Sequence, residues 1–343
     1  MNREVGSEFW NCEPIKNNKV FVLSGRTALE FIIQDILKSR TVSSVLLPSY
    51  CCHTMIEPFC RHGLNIRFYD VLWNEKSGLT VEVPDLIENE IFYYISYFGY
   101  TKLQGFPDER VKRDAEVIIE DQTHSWLSCN YYDAADYSYV SYRKWTGFTG
   151  LASASKANGG FSSLPNQKNE KYCNIRNRAI DMKRKYIRNG FGDKQAFLSL
   201  FTEAEVLLET DYVGYLPEIE AVNQFLNVDI CEMQKNRRRN ATILQEGIKG
   251  IDGIKCMFSS ITDSDVPLFV PVLVPEGRDR LRKHLIDNSI YCPIHWPLSV
   301  YHTGISEKGR VLYEHELSLI CDQRYDEKDM DRIVQVLWNY SKR

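Results

Sequence analysis

The chain has no strong excess of either charge: 42 Lys and Arg face 46 Asp and Glu, for a net charge of −4. That balance supplies no electrostatic footprint for nucleic acid or an acidic membrane surface as the main partner. No apolar run approaches the roughly 18 residues that a membrane-spanning helix needs. The opening MNREVGSEFW lacks the apolar stretch of a secretory signal, so none is expected. None of the ten cysteines forms a CxxC pair. Reduced, mostly buried thiols of a cytoplasmic protein are therefore expected, not a disulfide framework. The one Cys/His cluster is Cys51-Cys52-His53, and adjacent residues do not easily reach one tetrahedral ion, so no metal is expected. Neither GxxxxGK nor GxGxxG occurs, which removes the usual signatures of nucleoside triphosphate and dinucleotide binding. These absences leave a protein acting on a small molecule.

What is present is ordinary globular material, 43% hydrophobic and 26% charged. A length of 343 residues suits a large domain plus a smaller one. Short, nearly unbroken apolar runs stand at 20–23 (VFVL), 44–47 (SVLL), 66–69 (IRFY), 92–96 (FYYIS), 116–120 (EVIIE) and 137–140 (YSYV). Runs of this kind predict strands buried on both faces of a parallel sheet. Between the first two, Leu29, Ile32, Ile33, Ile36 and Leu37 recur at helical spacing. Strand, helix, strand in repetition predicts an open α/β sheet. The polar, basic stretch 166–190 predicts a helix with a solvated face, and 196–248 reads as long helices. The pattern then restarts: a strand in 267–274, a helix at 277–288, a strand and loop at 290–298 and a helix at 327–340. The expected division is a large domain over 1–245 and a small C-terminal α/β domain over 246–343.

Three segments carry chemistry. In VFVLSGRTALEF a strand runs through Ser24 and Gly25 into a helix, and free backbone N–H groups at that point make an anion site. Gly25 lets the backbone approach a phosphate, and Thr27 can add a hydroxyl. The plain alternative is a structural strand-to-helix turn. In VIIEDQTHSW a strand ends in two carboxylates, where open sheets bind ligands. Asp121 there can pair with a cationic heteroaromatic nitrogen, or it can simply cap the next helix. His124 lies within reach of the same ligand. In YSYVSYRKWTGF a strand delivers Lys144 to a turn beside Arg143. A neighbouring cation and partial desolvation favour the neutral amine that a nucleophilic lysine needs. Ser138 and Ser141 offer hydroxyls to a phosphate.

An anion turn, an acid at a strand end and a lysine 23 residues later follow the order seen in fold-type-I pyridoxal phosphate enzymes. The sequence resembles one group of these, the DegT/StrS sugar aminotransferases. SGRTAL looks like the family's phosphate turn, LLPSYCCHTMIEPF like its PSYTF segment, and IEDQTHSW like its EDAAxxxG segment. YSYVSYRKW stands where the family keeps its lysine. The likeness continues through KNRRRNATIL, LFVPVLVPEGRDRLRKHLIDNSIYCPIHWPL and DQRYDEKDMDRI, and so covers about residues 15 to 340.

The resemblance implies a fold-type-I α/β protein with a mostly parallel seven-stranded sheet and a homodimer with its active site at the interface. It implies pyridoxal 5'-phosphate held as a Schiff base on Lys144, with Asp121 keeping the ring nitrogen protonated. Gly25, Arg26 and Thr27 would bind the phosphate with Ser138 or Ser141, and His124 would contact the ring. The family's ring-stacking position reads Cys52, so Tyr50, His53 or another residue must stack instead. His295, in YCPIHWP, falls where the family keeps a histidine near the substrate, and Tyr97 is a second substrate-side candidate. The implied reaction moves an amino group from glutamate to a nucleotide-linked keto-sugar, as in polysaccharide biosynthesis.

Two segments depart from the family. VGYLPEIEAVNQFL replaces its GYNYRM, and TGFTGLASASKANGGF is longer than its Gly-rich turn. These put the sugar in question more than the cofactor. A non-catalytic, regulatory relative would also lose such a segment, but it would not be expected to keep Asp121 and Lys144. The family's sugar dehydratases replace the lysine with histidine, whereas Lys144 is present here.

Overall fold

A computed structural model describes residues 18–100, 109–128 and 134–342. Its first elements are β1 (Lys19–Val22), α1 (Gly25–Ser39), β2 (Ser44–Pro48), α2 (His53–Arg61), β3 (Asn65–Asn74) and β4 (Gly78–Glu82). Then come β5 (Glu90–Ile95), α3 (Glu109–Asp114), β6 (Val117–Asp121), β7 (Tyr137–Ser141) and β8 (Ala152–Lys156). A helical stretch comprises α4 (Glu170–Asn189), α5 (Lys194–Thr210), α6 (Ile219–Leu226) and α7 (Ile230–Gly247). The chain ends with β9 (Lys255–Cys256), β10 (Val270–Leu273), α8 (Arg278–Asp287), α9 (Glu307–His315), β11 (Glu316–Leu319) and α10 (Glu327–Ser341). Among the described residues no helix is long and apolar enough to cross a membrane.

The large sheet has eight strands, not the seven expected, in the order β1-β8-β7-β6-β5-β2-β3-β4. Its centre, β7-β6-β5-β2-β3, is parallel. The extra edge strand β4 returns antiparallel on β3. Asn74 makes that hairpin: its side chain accepts from the N–H groups of Lys76 and Ser77, an Asx-type turn. The stretch after Lys144, read as one long turn, also holds a strand: β8 lies antiparallel between β1 and β7. β1 is therefore antiparallel to its neighbour, in contrast to the parallel strand expected there. YCPIHWP forms no strand; Pro293 and Pro297 lack the N–H groups a ladder needs.

α1 forms as its periodicity predicts. Leu29, Ile32, Ile33 and Ile36 are all buried, and the Ser24 side chain caps the helix by accepting from Thr27 N–H, worth about 1 kcal/mol. A second core lies under the sheet β11-β10-β9. There Val270, Val272, Leu317 and Leu319 pack with Ala241 and Leu244 of α7 and with Leu281, Leu285, Ile333 and Leu337.

The two layers of the large sheet are joined by one buried acid. Asp35, on α1, accepts from Tyr137 Oη at 2.8 Å, Lys156 Nζ at 2.7 Å and Ser162 N–H at 2.7 Å. These bonds outweigh its burial and pull its carboxyl down to about 2. A depressed carboxyl stabilises the fold above its unfolded value of 3.8, and the benefit is lost as pH falls through about 2. That component should be about 2 kcal/mol. Denaturant melts of Asp35→Asn against the parent should show lower stability at neutral pH and a flatter loss of stability in acid. An unchanged acid profile would remove this residue from the account.

Candidate active site

The parallel strands β6 and β7 deliver their carboxyl ends side by side, with Asp121 paired to Tyr139. Alternation along β6 separates its two terminal acids. Glu120 turns to Ser96 and Gln122, accepting at 2.7 and 2.9 Å. Asp121, 1% exposed, turns the other way. Its Oδ2 accepts from Tyr139 Oη at 2.7 Å and Tyr93 Oη at 3.2 Å, and its Oδ1 from Thr123 N–H at 2.8 Å. Burial raises its pKa against those three bonds. No cation bonds to it among the described residues.

The turn after β7 is tied to the turn after β6. Ser141 N–H donates to Thr123 Oγ1 at 3.2 Å, and Trp145 Nε1 donates to the Thr123 carbonyl at 2.7 Å. Between these anchors stand Arg143 and Lys144. Arg143 is clamped by both carboxylate oxygens of Glu205, at 2.8 and 3.0 Å, and by Tyr172 Oη at 2.9 Å. Lys144 opens onto a cleft yet is crowded by protein, and burial followed by the charge of Arg143 lowers its pKa. The neighbouring cation and desolvation expected from the sequence are both in place.

At the N-terminus of α1, Gly25 lies against β7. A Cβ on Gly25 would sit 3.0 Å from Cβ of Ser141. Thr27 N–H and Ala28 N–H are taken by Ser24, which leaves the N–H groups of Gly25 and Arg26 without an acceptor among the described residues. Together with the Ser141 hydroxyl they form an anion cradle. Ser138 lies three residues before Ser141 and so on the opposite face of β7. The Arg26 side chain leaves the cradle. It donates to the Leu208 carbonyl at 2.7 Å and stacks on Tyr212, so only its backbone is available. The Thr27 hydroxyl is paired with Ser24 Oγ at 2.9 Å.

The remaining candidates form an aromatic wall. His124 is 2% exposed, its Nδ1 lacks a partner, and burial followed by Lys144 brings its pKa down to about 3. It stacks on Trp296 at 5.4 Å and meets His295 edge-on at 5.4 Å. Tyr50 and Tyr97 sit behind this wall, fully buried. Tyr50 donates to the His295 carbonyl and Tyr97 to the Tyr50 carbonyl at 2.5 Å, so neither presents its hydroxyl to the cleft. Cys52 caps α2, with its Sγ 3.8 Å from His53 Nδ1, and this contact lowers the thiol against burial.

The cleft beside Lys144 has a volume of about 770 Å³. One face of α4, at Arg176, Ile180, Lys183, Arg184 and Ile187, lines it; that spacing is a helix face. Arg237 and Arg324 approach from the other side. Part of the basic segment expected to be a solvated face thus lines the cleft. Its acid Asp322 is already paired with Arg324 at 2.7 Å. Residues that the sequence reading passed over include Tyr93, Tyr139, Thr123, Trp296 and Arg176. Tyr139 was accessible from its place two residues before Ser141 on one strand face; Tyr93 and Trp296 come from distant segments and gave no local signal.

No protein-family model matches the sequence, and no curated protein matches it. Solved structures do match in fold. DesV from S. venezuelae, in complex with a ketimine intermediate, is 15% identical with a TM-score of 0.63, covering 95% of this chain and 85% of its own. A DegT DnrJ EryC1 StrS aminotransferase from Brucella abortus is 14% identical with a TM-score of 0.58, covering 95% and 86%. The pyridoxal phosphate form of Spr1654 from Streptococcus pneumoniae, a sugar aminotransferase by description, is 13% identical with a TM-score of 0.60, covering 95% and 88%. Over nearly its whole length, the chain has the fold of these aminotransferases.

Proposed function

We propose that the protein is a pyridoxal 5'-phosphate-dependent aminotransferase, a divergent relative of the DegT/StrS group, acting on a keto-sugar. The observation that carries this reading is the junction of β6 and β7. A fully buried carboxylate without a cation, an anion cradle and a lysine of lowered pKa stand on adjoining turns there. The residues fit the cofactor. Asp121 would hold a pyridinium nitrogen, the cation its site lacks. The N–H groups of Gly25 and Arg26, with Ser141, would take the phosphate, and Gly25 leaves the space a Cβ would fill. His124, with its unpaired Nδ1, would face the ring.

When bound, the cofactor supplies an electron sink for the carbon that carries the amino group. The chain's own work lies around it. Lys144 offers a neutral amine to bond the cofactor and then carries a proton to and from the substrate carbon. Arg143, locked by Glu205, depresses the lysine and fixes the turn. The closed aromatic wall of His124 and Trp296 keeps water from one side. The basic cleft favours a substrate with a phosphorylated carrier, as a nucleotide-linked sugar has, with Arg176, Lys183 and Arg184 meeting the phosphates. The resemblance adds glutamate as amino donor and a homodimer as the working form.

Addition of pyridoxal phosphate to the purified protein should give a yellow absorption band that borohydride abolishes and that Lys144→Ala lacks. A folded parent protein with no band would sink the reading. Single-turnover assays should then show glutamate bleaching the band, and Asp121→Asn should slow that step by roughly 100-fold or more. Lys183→Ala and Arg184→Ala should each raise KM for a nucleotide-linked keto-sugar by about tenfold, equivalent to roughly 1.4 kcal/mol, and leave the glutamate half-reaction unchanged. Equal effects on both halves would argue against a phosphate-binding cleft.

A further inference from the structure

β11 reads Glu-Leu-Ser-Leu, and all four residues are buried. Alternation sends Glu316 and Ser318 to one face of the strand and the two leucines to the other. The Ser318 hydroxyl donates to Glu316 Oε1 and lies 2.8 Å from Nδ1 of His295. The backbone N–H of His295 donates to Glu316 Oε2 at 2.7 Å. Carboxyl, hydroxyl and imidazole thus stand in single file. The file begins in the core and ends at a ring that meets His124 edge-on at 5.4 Å and abuts Phe269, a wall of the cleft, at 4.9 Å. Lys144 lies near enough for its charge to act on that ring.

A hydroxyl has one proton to give, so the two ends of the file cannot be set independently. With Glu316 ionised, Ser318 donates to it and accepts from Nδ1–H, and Nε2 of His295 is a bare acceptor. With Glu316 protonated, its O–H donates to Ser318, Ser318 donates to Nδ1, and Nε2 carries the proton. We propose that Glu316 and Ser318 are positioning residues of a proton relay that sets the tautomer of His295 and lets its Nε2 give or take a proton at a group bound beside Lys144. When Nε2–H breaks toward that group, Nδ1–H forms as Oγ–H of Ser318 breaks, and a new Oγ–H forms as Glu316 O–H breaks. The charge is left on the Glu316 carboxylate, where the His295 N–H and Ser318 hydroxyl stabilise it. The relay rests on reading the Lys144 cleft as the active site.

Its working range is set by its surroundings. Burial pushes Glu316 up to about 8, against bonds from Ser318, the His295 backbone and Tyr50 and the charge of Arg278. Tyr50 is raised well above its ordinary value, and burial pushes Cys292, which also faces Glu316, up to about 12. Burial, His124 and Lys144 hold His295 well below its ordinary value. His295 therefore changes tautomer and stays uncharged while Glu316 titrates.

The test is a titration of the full-length protein labelled in its histidines, read by proton–nitrogen correlation spectra that report which ring nitrogen bears the proton. His295→Gln identifies the signal among the seven histidines. As pH rises through about 8, Nε2 of His295 should lose its proton and Nδ1 gain one. Glu316→Gln should abolish the transition, and Ser318→Ala should uncouple it from Glu316. One unchanging tautomer in the parent protein, or a transition that survives Ser318→Ala, would overturn the relay. The parent titration needs no variant and no cofactor. A transition in protein that takes up no pyridoxal phosphate would leave the relay standing and remove the aminotransferase reading instead.

Discussion

The carboxylate of Asp121 is the constraint around which this end of the molecule is organised. A buried carboxylate without partners is costly. Two tyrosine hydroxyls and a backbone N–H satisfy it here, and each of them fixes a different part of the fold. Tyr93 brings in β5, Tyr139 brings in β7, and Thr123 bends the chain away from β6. Thr123 then holds the Lys144 turn through Ser141 and Trp145. The acid and the lysine are thus placed by one connected set of bonds, which gives the pair its geometry before any ligand binds.

Around that junction, charge is sorted by element. The N-terminus of α1 presents backbone N–H groups to the space beside Ser141. α4 contributes a cationic face, and Glu205 of α5 neutralises Arg143 and bonds to Arg176 at 2.9 Å. The second sheet contributes the opposite chemistry: buried, uncharged and proton-linked side chains in Glu316, Ser318 and His295. A cleft with cations on one wall and a neutral proton-carrying file behind another separates binding of an anionic substrate from handling of its protons.

Much of this was legible in the chain. The parallel strands β2, β3, β5, β6 and β7 and the helix α1 arise from unbroken apolar runs and a helical period, because burial on two faces or on one stripe leaves that mark. The lysine and its cationic neighbour were visible as adjacent letters. β4 and β8 were not, because GLTVE and ASASK carry little apolar signal and are strands by virtue of their neighbours. The Glu316 file was missed although ELSL alternates polar and apolar residues inside an apolar region, which is the pattern a buried polar face produces.

The sequence by itself determined the order of the chemical groups and the local elements that carry them, since capping, periodicity and strand ends depend on residues close in the chain. Tertiary structure alone decided which of those groups meet. Strand alternation faces Ser141 toward Gly25 and sends Ser138 away. Packing draws the Arg26 side chain off to Leu208 and Tyr212, and seals Tyr50 and Tyr97 behind His295. It also brings residues 295, 316 and 318 into one file beside residue 144. Such meetings depend on contacts between segments far apart in the chain, and no local pattern of residues encodes them.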